Sequence, residues 1–210
     1  MSNSNILLLI IIDHTQAFIK EKQQQYPHII YRKNKENNGP AKALNLGLTA
    51  AKGEFIVPLD DDDFLPPRSL YLRTKHLKAN PTLDWSSGYY FVVNEQNTLI
   101  ESPYTGMPQI NMEQDLLQQL LEKNRIVNGS ATLRTSRVKA IGGWDKRFKC
   151  QDYNMWIRMS HAGYRYGIME HYVSFYRIHE HQLRTTHSVD GTWEHEQAIF
   201  REMYGYKNNF

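Results

Sequence analysis

Four consecutive aspartates occupy residues 60–63, directly after the hydrophobic run at residues 54–59. Like charges packed this closely repel one another unless a cation, a polar ligand or water disperses the charge. Mg²⁺ and Mn²⁺ prefer oxygen ligands, and an ion held by one or two carboxylates keeps open positions for substrate phosphates. The cluster therefore predicts a divalent cation site. A solvated acidic turn is the alternative, which the spacing alone leaves equally open.

A calcium-binding loop of the EF-hand type does not fit this stretch. Such a loop needs Gly at its sixth position and Glu at its twelfth. None of the four registers that start on an aspartate meets either condition. This kind of calcium site is therefore excluded.

The segments around the aspartates predict strands that alternate with helices. The apolar run at residues 6–12, closed by Asp13, has the composition of a strand buried on both faces. A helix is predicted at residues 15–25, a strand at 28–31 and a helix from Pro40 to about residue 52. Further helices are predicted at about residues 68–78 and 112–123 and from Asp152, and strands at 83–93 and 98–101. This order predicts a layered α/β fold with a mostly parallel sheet, in which ligands collect at the carboxyl ends of strands.

Length, charge and cysteine content limit the class of protein. With 210 residues, 40% of them hydrophobic, the chain is expected to form one domain over residues 1–210. A net charge of +3 with dispersed Lys and Arg does not indicate a nucleic-acid partner. Cys150 is the only cysteine, which excludes an internal disulfide and fits a cytoplasmic location. The longest apolar run is too short for a transmembrane segment, which needs about 20 residues.

Three blocks of sequence together resemble the family 2 glycosyltransferases of the GT-A type. They are NGPAKALNLG at residues 38–47 with KGE at 52–54, LDDDD at 59–63 with Pro67, and GGWD at 142–145 with QDYNMWIR at 151–158. The resemblance implies a Rossmann-like α/β/α sandwich with a nucleotide-sugar-binding half at about residues 1–100. An acceptor-binding half at about residues 101–210 would carry the catalytic base. The implied reaction moves a hexose from a UDP-sugar, such as UDP-glucose, to a hydroxyl of a glycan or other acceptor, with inversion.

The resemblance also implies roles for the acidic motif, which matches the family's Asp-x-Asp pattern. Asp62 would bind Mn²⁺ or Mg²⁺, and Asp60 would contact the ribose or the water shell of the ion. Asp61, at the variable place of the motif, would belong to the donor site. His179 matches a histidine in the family's closing segment that reaches back to the metal; a loop histidine that binds no ligand is the alternative. An ion on the diphosphate oxygens would stabilise the charge that develops on the leaving group.

Asp152 matches the family's base, which takes the proton of the acceptor hydroxyl. The alternative is that Asp152 caps the helix that begins there. Asp145 and Gln151 would line the sugar or acceptor pocket, and Gln151 stands where the family often has Glu. Trp144 would line the same pocket, with core packing as the alternative.

Two more residues match the family's donor site. Asp13 would accept a hydrogen bond from the uracil N–H, and Lys42 would approach the nucleotide. A solvated turn and an exposed helix position are the alternatives. The family's usual first strand and helix do not precede residues 6–13, so a minimal fold with loose nucleotide selectivity is expected. A non-catalytic nucleotide-sugar-binding or glycan-binding module with a degenerate fold is the second functional hypothesis.

Overall fold

The computed structural model describes residues 15–33, 36, 39–100, 106–180, 182 and 189–207. The strand predicted at residues 6–12, and Asp13 with it, lie outside the described residues. The elements of the described part are α1 (Thr15–Gln25), α2 (Pro40–Ala50), β1 (Phe55–Ile56), α3 (Ser69–Ala79), β2 (Trp85–Val93), α4 (Leu116–Glu122), a 3₁₀ turn (Asn128–Ser130), β3 (Ala131–Arg134), α5 (Thr135–Ala140), α6 (Gln151–His161), β4 (Tyr166–Arg177) and α7 (Thr192–Tyr204).

The four strands form one mixed sheet in the order β1-β3-β2-β4. β3 runs antiparallel to both of its neighbours, and only β2 and β4 pair in parallel. The α/β class is confirmed: β1, β2 and β4 run in the same direction and β3 runs against them, so the sheet is mixed rather than purely parallel. The sequence does not predict the one antiparallel strand, because the alternation of elements along the chain does not reveal strand direction.

Two predicted strands are wrong in the described residues. Residues 28–31 form a turn and irregular chain rather than a strand. At residues 98–100 the chain makes an isolated pairing between Leu99 and Val93 and no regular strand. Short runs of apolar residues therefore predict a strand less well than the long run that forms β2.

Local signals set the ends of the helices. Gly39, at a φ of +79°, places Pro40 at the first position of α2, where its missing N–H loses no hydrogen bond. The Asp115 carboxylate accepts hydrogen bonds from the N–H groups of Leu117 and Gln118. α4 therefore begins at Leu116, later than the predicted residue 112.

The main core lies where α4, α6 and α7 meet the strands. Trp85 of β2 stacks on Trp156 of α6, with ring centroids 5.4 Å apart, and Tyr166 of β4 packs beside Trp85. These three rings are buried and fix α6 against the parallel strand pair. Within the described part of the chain, none of the helices has the length and apolar composition needed to cross a bilayer.

Candidate active site

The four aspartates form a turn after β1 and face different surroundings. The N–H of Asp63 donates to the carbonyl of Asp60 at 3.2 Å and closes the turn. The Asp60 carboxylate accepts a hydrogen bond from the Asn128 amide at 2.9 Å. Asp61 is exposed, Asp62 is half-buried and Asp63 is only 8% exposed. The turn therefore directs one carboxylate to solvent and holds the others against the protein.

Asp62 and His179 lie next to each other. His179 Nε2 is 2.9 Å from Asp62 Oδ2, and the Arg177 side chain donates to the Asp62 carbonyl at 2.7 Å. The N–H of His179 donates to Gln182, which in turn donates to the hydroxyl of Tyr176. The end of β4 thus brings together the two side chains that the sequence predicts as metal ligands.

Asp63 anchors the aspartate turn to the same strand. One of its carboxylate oxygens accepts from the N–H of Arg177 at 2.9 Å, and the other is buried without a hydrogen-bond partner among the described residues. Burial raises the pKa of Asp63 to about 8; the hydrogen bond from Arg177 opposes this, and the charges of Asp60 and Asp62 add to it. A neutral Asp63 is therefore expected near pH 7 when no cation is bound.

Asp60 and Asp152 lie close enough for their charges to interact. Burial raises the pKa of Asp60 to about 7, the hydrogen bond from Asn128 opposes the rise, and the charges of Asp152, Asp62 and Asp61 add to it. Among these three neighbours, Asp152, the predicted base, raises the pKa of Asp60 the most. Asp152 is the second residue of α6, and Cys150 occupies the N-cap position. The alternative that Asp152 is the N-cap of this helix is therefore wrong.

Asn45 of α2 joins the first and third sequence blocks. Its side-chain amide donates to the carbonyl of Trp144 at 2.7 Å and accepts from the N–H of Trp144 at 2.8 Å. Gly143 has a φ of +75°, and a Cβ there would lie 2.2 Å from Asn45 Oδ1. Arg158 of α6 donates to the carbonyls of Gly143 and Ile141. The glycine turn is therefore held between α2 and the helix that carries Asp152.

The remaining predicted site residues are more dispersed. Trp144 is 2% exposed and belongs to the core, so core packing accounts for its position rather than a pocket wall. Asp145 pairs with Arg147 at 2.6 Å, and this hydrogen bond holds the pKa of Asp145 below its usual value. Gln151 is buried, and Lys42 is exposed on the first turn of α2.

Comparison with known proteins identifies the family. The sequence model described as Glycosyl transferase family 2 matches residues 12–142. The chain belongs to glycosyl transferase family 2. An uncharacterized glycosyltransferase of Methanocaldococcus jannaschii is 22% identical over 214 residues, which covers 95% of this chain and 73% of the relative. An uncharacterized glycosyltransferase of Rickettsia conorii is 32% identical over 140 residues, which covers 63% of this chain and 22% of the relative.

Solved structures show the same fold. The Staphylococcus aureus TarS fragment 1–349 in complex with UDP has a TM-score of 0.62 at 14% identity, covering 99% of this chain and 59% of that one. The same fragment in complex with UDP-GlcNAc has a TM-score of 0.62, covering 92% of this chain and 56% of that one. This family 2 glycosyltransferase chain thus spans a little over half of the TarS fragment.

The side chains at this site suit a cation that takes its remaining ligands from a bound substrate. In the described ranges, no group of three or more His, Cys, Asp or Glu side chains has the arrangement to hold an ion alone. Asp62 and His179 offer an oxygen and a nitrogen 2.9 Å apart. Mg²⁺ is usually held by one or two carboxylates, with phosphate oxygens and water completing the shell. These two ligand atoms therefore fit Mn²⁺ or Mg²⁺ bound together with a diphosphate.

Sequence reasoning missed three polar residues that support the site: Asn45, Asn128 and Glu196. Asn45 lies inside a family block, so its place there was an available signal. Asn128 and Glu196 contact residues remote from them in sequence, Asp60 and the segment before α6. For Glu196, the spacing of Trp193, Glu196 and Phe200 predicts an acidic residue on the apolar face of a helix.

The raised pKa values of Asp60 and Asp63 predict how stability depends on pH in the metal-free protein. Both pKa values rise from 3.8 when the chain folds, so the folded state binds more protons than the unfolded state between about pH 4 and pH 8. The free energy of unfolding should therefore fall as pH rises from about 4 to about 8 and level off above that, by at most about 1.4 kcal/mol per pH unit for each group.

Thermal melts in EDTA between pH 5.5 and 8.5 measure this slope. Asp63→Asn should flatten it, because the amide replaces the protonated carboxyl. Asp145→Asn is the matched control, since Asp145 titrates below this range, and it should leave the slope of the wild type unchanged. Equal slopes for Asp63→Asn and the wild type would contradict the prediction.

Proposed function

We propose that the chain is a metal-dependent, inverting glycosyltransferase that moves a hexose from a UDP-sugar to an acceptor hydroxyl. The observation that carries this proposal is the meeting of two groups at one end of the sheet. The Asp62–His179 pair and Asp60 form one group, and Asp152, whose charge acts on Asp60, is the other. Membership of the family supports the reaction class, and the likeness to TarS, solved with UDP and with UDP-GlcNAc, supports the donor class.

On this proposal the aspartate turn binds the donor. Mn²⁺ or Mg²⁺, held by Asp62 and His179, would neutralise the charge that the leaving diphosphate gains. Asp60, with one oxygen fixed by Asn128, would contact the ribose or a water of the ion. Asp61, exposed on the same turn, extends the donor site toward solvent. Asp13 and Lys42 would complete the nucleotide site.

Asp152 performs the proton transfer. The acceptor hydroxyl oxygen attacks the anomeric carbon while the bond between that carbon and the diphosphate oxygen breaks, and the hydroxyl proton passes to the Asp152 carboxylate. A single displacement of this kind inverts the anomeric centre. The acceptor therefore enters on the α6 side of the site, and the diphosphate lies on the side of β1 and the end of β4. The single domain of residues 1–210 would then have its donor half and its acceptor half on these two sides.

Metal dependence is the first test of the proposal. UDP release from UDP-glucose and related UDP-sugars should require Mn²⁺ or Mg²⁺ and stop in EDTA. Asp62→Asn should lower kcat/KM by roughly 10²- to 10³-fold, because it removes a ligand from the group that stabilises the leaving diphosphate. The measurement is coupled UDP detection over a panel of donors, with glycan and small hydroxyl acceptors.

Asp115→Asn serves as the control, because this exposed carboxylate caps α4 and Asn caps a helix equally well. The control should keep the activity and metal response of the wild type. Turnover that is independent of metal and of Asp62 would contradict the proposal. Metal-dependent binding of a UDP-sugar in a calorimeter, with no release or transfer, would instead favour a non-catalytic binding module.

A further inference from the structure

The carboxylate of Glu196 binds the chain just before α6. Glu196 lies on α7 and is 7% exposed. Its Oε1 accepts from the N–H of Lys149 at 2.8 Å, and its Oε2 accepts from the N–H of Cys150 at 2.9 Å. Hydrogen bonds from backbone N–H groups to an ionised carboxylate are about twice as strong as neutral ones. The carboxylate also lies at the positive end of the α6 dipole, which favours a negative charge.

Cys150 links this carboxylate to Asp152. Burial raises the pKa of the Cys150 thiol, and the charges of Glu196 and Asp152 raise it further. Both carboxylates are therefore close enough to Cys150 to act on the same side chain. Cys150 is the N-cap of α6 and Asp152 is its second residue. A change in the path of the backbone at residues 149–150 must therefore move Asp152.

The packing of α7 on the rest of the protein does not require a carboxylate at this position. Trp193 stacks on Tyr153 of α6 at 5.1 Å, and Phe200 meets the same ring edge-on at 5.4 Å. Arg201 donates to the carbonyls of Leu121 and Glu122 at the end of α4. Burying an ionised carboxylate is unfavourable unless it is fully hydrogen-bonded. Glu196 thus serves the start of α6, while the aromatic residues and Arg201 dock α7.

We propose that Glu196 is a positioning residue for Asp152. The inference rests on the proposed function, in which Asp152 is the base. Glu196 holds the first turn of α6 at a fixed distance from the aspartate turn, so that the Asp152 carboxylate stays within reach of the acceptor hydroxyl. Such geometry matters because a displacement of about 1 Å in a catalytic group can lower the rate by as much as 10²-fold.

Glu196→Gln tests the inference. The amide keeps the size of the side chain but turns one acceptor into an NH₂ group that faces a backbone N–H. We expect kcat to fall roughly 10-fold while KM for the UDP-sugar stays within about twofold, since donor binding uses other residues. Hydrogen exchange should become faster in the peptide covering residues 149–154 and stay unchanged in the second half of α6.

Arg201→Gln is the matched control. It weakens the docking of α7 on α4 and leaves the contacts of Glu196 in place. We expect a lower melting temperature with kcat within about twofold of the wild type. Equal kcat values for the two variants would overturn the inference and assign Glu196 a purely structural role. A wild-type protein that releases no UDP would contradict the proposed function as well, whereas an active wild type with an unaffected Glu196→Gln variant would contradict only this inference.

Discussion

Asp152→Asn is expected to lower kcat by roughly 10²- to 10⁴-fold, the range typical for loss of a general base. Asn has nearly the same shape as Asp and fits the second position of α6, but it does not accept a proton from the acceptor hydroxyl. The affinity for the UDP-sugar should stay close to that of the wild type, because the proposed donor site is formed by the aspartate turn and the end of β4. The expected result is therefore a loss of turnover without a loss of donor binding.

Two measurements separate these effects. Single-turnover UDP release gives the rate of the chemical step, and calorimetry with Mn²⁺ gives the dissociation constant of the donor. Asp115→Asn, on the exposed start of α4, should leave both values unchanged. If the Asp152→Asn variant lost donor affinity in parallel with kcat, the carboxylate would belong to the donor site and another base would be required. If neither value changed, Asp152 would have no part in the reaction.

The helices of the first half of the chain could be predicted closely from sequence. α1 and α2 begin at the predicted residues, and α3 begins one residue after the predicted one. Apolar spacing and a proline near the helix start act through the backbone of the helix itself, so a short stretch of sequence contains the whole signal. α4 begins later than predicted because its cap, Asp115, is a residue whose role depends on backbone conformation rather than on the apolar pattern.

The sheet could not be derived in the same way. β1 and β3 contain two and four residues, too few to show alternation. The direction of β3 depends on its pairing with Trp85, Ser86 and Ser87 of β2, which are remote in sequence. A mixed sheet therefore arises from tertiary pairing that no local pattern contains.

The residues of the candidate site also fall into those that a local sequence pattern reveals and those that depend on remote contacts. The aspartates are adjacent in sequence, and their shared charge identifies them directly. The resemblance to the family predicts that His179 approaches the metal, and it lies beside Asp62. Asn128 and Glu196 each contribute one polar side chain to a remote partner, and a single residue has no spacing to analyse. The residues proposed to act in the reaction were therefore easier to find in the sequence than the residues that hold them in place.

Arg73→Met is expected to lower the free energy of unfolding by about 3–5 kcal/mol. Arg73 is fully buried on α3, and its five hydrogen bonds all end on neutral oxygen atoms. The acceptors are the carbonyls of Gly129, Ala131 and Val173 and the hydroxyls of Ser69 and Thr132. Burial lowers the pKa of Arg73 to about 9, because the buried charge is unfavourable. Removing that charge therefore offsets part of the destabilisation caused by the lost hydrogen bonds. The buried carbonyls that lose the guanidinium as a donor account for the rest of the destabilisation.

The position of Arg73 also connects stability to the site. Its guanidinium holds the turn that carries Asn128, the partner of Asp60, and the part of β4 that leads to Arg177 and His179. Arg73→Met should therefore lower kcat even at temperatures where the variant is folded, because the turn with Asn128 and the end of β4 both lose hydrogen bonds to the same side chain. Urea unfolding gives the stability change, and UDP release at a temperature well below the melting transition gives the effect on activity.

Lys75→Met provides the control for Arg73→Met, because it removes a positive charge from an exposed position on the same helix. Surface substitutions of this kind usually change stability by no more than about 0.5 kcal/mol. Arg73→Lys should fall between the two, since an ammonium group retains the charge but does not reach all five acceptors at once. A stability change for Arg73→Met as small as that of Lys75→Met would show that water replaces the guanidinium in the interior. The turn with Asn128 and the end of β4 would then be held by other contacts.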